Sequence, residues 1–144
     1  MSKLKISDEW WSAPLEGDNG DLVIVTARDD MQDVMASGVF VYRIDTSWRY
    51  ADGGMPNLET STLMEQITDS LQEVLRKDPV AVMTGIYTGA GERNWVFYTR
   101  SLHIFQKKFN EALAPFPEIP LTFHAEEDPD WDEFKEVASH KITG

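Results

Sequence analysis

Residues 80–100 read VAVMTGIYT, then GAGE, then RNWVFYTR: Val80 to Thr88, Gly89 to Glu92, and Arg93 to Arg100. Two runs rich in β-branched and aromatic residues flank a short linker with two glycines. The pattern predicts two antiparallel strands joined by a tight turn. Side chains alternate along a strand. Arg93, Trp95, Phe97 and Thr99 therefore share one face, and Asn94, Val96, Tyr98 and Arg100 the other. The apolar pair Trp95/Phe97 suits a face covered by helices. Tyr98 then points to the opposite face, with Tyr87 or a neighbour according to register.

A helical pattern lies on each side of this hairpin. Upstream, Leu63, Met64, Ile67, Leu71, Val74 and Leu75 form one apolar stripe. Thr62 with Glu65 fits a capping box, and Asp78-Pro79 stops the helix. Residues 62–76 would span about 22 Å. Downstream, Ser101 is placed to cap a second helix carrying Leu102, Phe105, Phe109, Ala112 and Leu113 on one face, ended by Pro115 and Pro117.

The remaining elements are shorter. Residues 8–15 predict a strand that Pro14 ends or places at an edge. Gly17-Asp18-Asn19-Gly20 is a turn, and Leu22–Thr26 a buried strand. Asp29–Ser37 fits either one helical turn or a loop. Val39–Ile44 is a further strand, with Tyr50 as its furthest extent. Leu121, Phe123 and Ala125 alternate as a last strand that leaves His124 exposed. Asp128-Pro129 opens a short final helix with Trp131, Phe134 and Val137/Ala138 buried; the tail to Gly144 frays.

From Val39 to Ala125 the order is β-α-β-β-α-β. The predicted fold class is α+β: a ferredoxin-like, split βαβ antiparallel sheet with two helices on one face, an N-terminal β extension and a short C-terminal helix. The first strand of that unit lies inside the sheet. The N-terminal strands must then extend an edge or cover a face.

At 144 residues the chain fits one domain, residues 1–144 with a core from about 8 to 138. A chain of this size buries roughly 70% of the surface its unfolded form exposes. Five Trp, four Tyr and seven Phe are ample filling. The absence of cysteine excludes disulfides and thiolate chemistry. The net charge of −12 disfavours nucleic acid and favours either a basic protein partner or simple solubility. No apolar run reaches the ~18–20 residues of a membrane span. The N-terminus lacks a signal-peptide core. A cytoplasmic location is expected.

Catalytic and ligand motifs fail on inspection. Gly89-Ala90-Gly91 lacks the third glycine and following helix of a dinucleotide fingerprint, and no Walker lysine is present. Asp128-x-Asp130-x-Asp132 imitates a calcium loop, but Glu133 stands where glycine is needed and Ser139 where the twelfth-position Glu belongs. Asp128 fits a helix cap better than a ligand. His103, His124 and His140 have no metal-site spacing. No Gly-x-Ser-x-Gly elbow occurs. No cofactor and no metal are expected.

The segment Thr88-Gly-Ala-Gly-Glu-Arg-Asn-Trp-Val-Phe-Tyr98, with Asp128-Pro-Asp-Trp131 some thirty residues on and Asp52-Gly-Gly-Met-Pro56 ahead of the long helix, resembles the bacterial domain of unknown function 695. The resemblance runs from about Trp10 to Val137. More distantly, the chain is similar to the protein inhibitor of ribonuclease E called regulator B, which is acidic and is thought to work by binding. The resemblance implies a fold and no mechanism.

The expected function is that of an acidic interaction or regulatory module. Its candidate binding residues are Tyr87, Glu92, Arg93, Tyr98, Arg100, Asp128 and Trp131. Tyr87 and Tyr98 would lie on an open sheet face, unless the N-terminal segment with Trp10 and Trp11 covers it. The alternative is a hydrolase-like enzyme using scattered acids and a histidine, in a pocket formed by the Asp52–Pro56 loop with Glu92, Arg93 and Asp128. A third possibility is a domain that assembles a homo-oligomer through an edge strand.

Overall fold

The computed structural model describes residues 6–17, 20–77 and 80–140. Its elements run β1 (Trp10–Glu16), β2 (Leu22–Arg28), α1 (Gln32–Ala36), β3 (Tyr42–Arg49), α2 (Leu58–Lys77), β4 (Ala81–Gly89), β5 (Glu92–Thr99), α3 (Leu102–Leu113), β6 (Leu121–Glu127) and α4 (Asp132–Ala138). The strands make one six-stranded sheet in the order β1-β2-β4-β5-β3-β6. Every neighbouring pair is antiparallel. The fold class is α+β. The centre of the Gly17–Gly20 turn, the Asp78-Pro79 stop and the tail to Gly144 fall outside the described residues.

The hairpin of β4 and β5 closes on Ala90 and Gly91, both at positive φ (54° and 82°). That is the geometry of a two-residue turn whose twist matches the strands. At Gly91 a side chain would strike the backbone of Ala51 and Gly53, so only glycine fits there. The pairing register shifts between Met83 and Gly85. The extra residue resets the alternation of β4. Met83 and Ile86 then face the same layer, while Tyr87 joins Val82 on the other.

Trp95 and Phe97 are buried under α2 and α3, as their alternation predicts. Met64, Ile67, Leu71 and Leu75 of α2 and Phe105, Phe109 and Ala112 of α3 pack onto them with Ile44 and Trp48 of β3. Ser101 accepts from the Ile104 N–H at 3.2 Å and caps α3. The start of α2 differs from the Thr62/Glu65 reading. The helix begins a turn earlier, where the Asn57 side chain accepts from the Thr60 N–H at 2.8 Å. Thr62 instead bonds back to the Leu58 carbonyl inside the helix.

The N-terminal strands extend the sheet beyond β4, and Pro14 lies on the outermost strand, where a missing N–H is tolerated. At the opposite edge, β6 is more exposed than its alternation implied. Phe123 is 55% exposed, because β6 is an edge strand with one neighbour.

The second face of the sheet corrects a larger expectation. Tyr98 does not lie on an open surface: it is 0% exposed. Tyr98 packs in a second core with Met31, Val34, Phe40, Val82, Trp131 and Phe134, drawn mainly from the α1 and α4 regions. Trp10 packs on the other core and Trp11 is not part of this one; of the N-terminal segment, Ile6 packs against it. α4 starts at Asp132, after Pro129 rather than with it at the first helical position. Trp131 occupies the left-handed region at its N-cap.

Candidate ligand groove beside the long helix

α2 and α3 cover one side of β4, β5 and β3, but the sheet continues past α2 into β2 and β1. This leaves a groove between α2 and the extended sheet, with a cavity of about 450 Å³. Its helix wall is Ser61, Glu65, Thr68, Asp69 and Gln72; its sheet wall includes Trp10, Ile24, Thr26, Ile86, Thr88 and Arg93. Met55 and Pro56 line one end. Ser61, Glu65 and Asp69 follow at intervals of four, the spacing that lines up side chains along one helix face. From Ser61 to Gln72 the helix wall runs about 16 Å.

The strand register orders the floor. Arg93 sits opposite Thr88, and Thr88 opposite Ile24. In the next row Trp95, Ile86 and Thr26 follow one another, and Trp10 pairs with Arg28 beyond them. Arg93 thus lies towards the Met55/Pro56 end and Trp10 towards the other. The Trp10 ring is held by the Arg28 guanidinium 4.6 Å from its centroid. Arg28 is in turn fixed by bonds to the Met83 carbonyl (3.0 Å) and the Ser7 carbonyl (2.9 Å). Thr68 accepts from the Trp95 indole N–H at 2.9 Å and donates to the Met64 carbonyl at 2.8 Å. That couples the groove floor to the core.

Arg93 is the unusual member. It is 8% exposed, yet only its Nε donates, to Thr88 Oγ1 at 2.9 Å. Among the described residues its two terminal nitrogens make no hydrogen bond or ion pair. The guanidinium lies 5.7 Å from the Trp95 ring centroid. Burial pulls its pKa below the ordinary arginine value, and the charge of Glu65 acts in the opposite direction. Neither terminal nitrogen is fully buried: both keep contact with solvent, which reaches them through the groove.

The Asp52–Pro56 loop is pinned to the hairpin tip at this end. The Gly91 N–H donates to the Gly54 carbonyl at 2.9 Å, and the Tyr50 hydroxyl donates to the same oxygen at 2.6 Å. The Gly-Met-Pro segment and the Gly-Ala-Gly-Glu-Arg segment, far apart in the chain, therefore meet beside Arg93.

The other candidate residues lie elsewhere. Glu92 pairs with Gly89 and Arg49 at the start of β5, outside the groove lining. Arg100 is exposed just past β5. Tyr98, Asp128 and Trp131 do come together, on the second face and inside its core. The rings of Tyr98 and Trp131 stack at 4.0 Å and 15°. The Tyr98 hydroxyl donates to Asp128 Oδ2 at 2.7 Å, and the Asp128 carboxylate also accepts from the N–H groups of Asp132 (3.0 Å) and Glu133 (3.2 Å). Asp128 is thus a cap for α4. Burial, then the bond to Asp128, raises the Tyr98 pKa well above the usual tyrosine range. Tyr87 is half-buried on the same face with its ring over Gly85, and burial pushes its pKa up to about 12. Arg43 nearby is held by Asp45 (2.9 Å) and Glu126 (3.1 Å).

Of the pocket sketched from the sequence, Met55, Pro56 and Arg93 are present, while Glu92 and Asp128 are not. The groove lining contains no histidine. Among the described residues no group of His, Asp and Glu side chains is arranged to hold a metal ion. No helix of the structure is long and apolar enough to cross a membrane.

Fold and groove together define an α+β protein with a cleft of mixed polar and apolar lining beside its longest helix. The chain belongs to the family of unknown function DUF695, whose model matches residues 9–137. No curated protein and no solved structure matches it.

Proposed function

We propose that the chain is a binding module whose guest lies in the groove between α2 and the β1–β2 extension of the sheet. The observation that carries this reading is Arg93: a largely buried side chain whose unpaired terminal donors open into a cavity of ligand size. Binding sites keep such groups where stability alone would discard them. The guest is a segment of a partner protein. An elongated groove walled by Glu65 and Asp69, on a chain of net charge −12, attracts a basic segment. The apolar floor of Ile24 and Ile86 and the Trp10 ring supply contact area.

A thermal-melting screen against a pool of short peptides tests this, run on the wild type and on Thr26→Phe, which fills the groove without altering Arg93. A peptide at one hundred times its Kd adds about 2.7 kcal/mol, or roughly 5–10 °C for a chain of this size. Wild type is expected to show this rise and Thr26→Phe to lose it. Equal rises in both proteins, or none in either, would refute the reading.

A further inference from the structure

We infer that the guest is the carboxyl-terminal end of a partner chain, its free carboxylate on Arg93 and a lysine or arginine side chain a few residues earlier against Glu65 and Asp69. This rests on the groove being the binding site.

Arg93 decides the first half. Its Nε is committed to Thr88, which fixes the plane of the guanidinium and leaves the terminal nitrogens for the guest. A planar fork with two free donors matches a carboxylate, which can accept both bonds at once. Charge decides between anions. Glu65 and Asp69 line the same groove, so with Arg93 the wall carries one more negative than positive charge. A doubly charged phosphate is repelled by that balance. A carboxylate accompanied by a cation satisfies it, the anion at the buried arginine and the cation at the exposed helix wall.

Shape decides that the guest is a chain end. β2, β4 and β5 are each paired on both sides, and the free edge of β1 is its outer one, on the side away from β2, so a guest between α2 and the sheet meets no free strand edge. An internal peptide segment has no ladder to join here. Recognition falls to the terminal carboxylate and to side chains, the mode in which a carboxyl terminus is captured. The loop at Met55 and Pro56 lines the groove at the Arg93 end, where the last residue of a chain would sit. The helix wall is long enough for about four or five extended residues.

The test is NMR of the full chain, following the Arg93 Nε–H, the Trp10 indole N–H and the amides of Glu65 and Asp69. The probes are a tetrapeptide pool with one lysine and otherwise random sequence, the same pool amidated at its carboxyl end, free lysine, and inorganic phosphate. The free-acid pool is expected to move all four signals to saturation, and the amidated pool to bind at least tenfold more weakly. Glu65→Gln with Asp69→Asn is expected to weaken the free-acid pool several-fold, and Arg93→Met to abolish its effect on Trp10. Equal binding of both pools would overturn the terminal carboxylate while leaving the groove as a binding site. Free lysine binding as tightly as the pool, or phosphate binding more tightly, would overturn the chain end. Silence of all four signals with every probe would overturn this inference and the reading beneath it together.

Discussion

Ala90 holds φ at 54°, a region that favours glycine or asparagine over alanine. The hairpin tolerates it because Gly91 beside it is glycine, and because the Asp52–Pro56 loop is bonded to the turn from outside. Ala90→Asn installs the Asn-Gly pair that this turn prefers. It is expected to raise the unfolding free energy by about 0.5–1 kcal/mol, read as a higher urea midpoint at unchanged slope. A lower midpoint would mean that the turn geometry is other than described. At this scale the sequence is legible where a residue answers to its immediate neighbours. Trp95 and Phe97 follow from alternation along one strand, and Ser101 follows from being a hydroxyl ahead of an apolar stripe. Asn57 was harder to see, because the true first turn of α2 carries Leu58, which is exposed and adds nothing to the stripe.

α4 is clasped to the sheet by one contact set: the Tyr98–Trp131 stack, the Trp131 indole N–H on the Phe40 carbonyl at 2.8 Å, and Asp128 holding both Tyr98 and the helix start. This clasp has a pH signature. The folded state keeps the Tyr98 hydroxyl neutral, with its pKa raised above the ordinary value of about 10. The stability it confers is complete below that value and is lost as pH rises towards the folded pKa, by about 1.4 kcal/mol per pH unit. Tyr98→Phe is expected to cost about 1–2 kcal/mol at pH 7 through the lost hydrogen bond. Above pH 10 the gap between wild type and variant should narrow along that slope. Denaturant unfolding from pH 8 to 11 measures it; a constant gap would remove the neutral hydroxyl from the account. The clasp was not legible beforehand. Strand alternation says which side Tyr98 takes, but only the return of the chain at residues 128–138 says what covers it. The register shift at Thr84 set the face of Tyr87 in the same way: a single extra residue redirects everything after it.

For the molecule as a whole, the groove exists because the sheet is wider than its helical layer. Local pattern identifies β1, β2 and α2, and even the Ser61-Glu65-Asp69 stripe. It does not say that the N-terminal strands join at β4, beside α2, rather than at the other edge or across a face. Once they join there, Trp10 and Ile24 come opposite Glu65 and Asp69, and Arg93 becomes the floor of a cleft instead of one more strand residue. On the proposed reading, Arg93 is kept for a guest and not for the fold. Among the described residues no ion pair holds its terminal nitrogens, which reach solvent through the groove, and methionine fills similar volume without the charge. Urea unfolding of wild type and Arg93→Met without any guest tests this directly. The variant is expected to lie within about 1 kcal/mol of wild type, or to be more stable. A loss of about 3 kcal/mol or more, the usual result of breaking a buried charge pair, would show that Arg93 is a structural residue and would contradict the account.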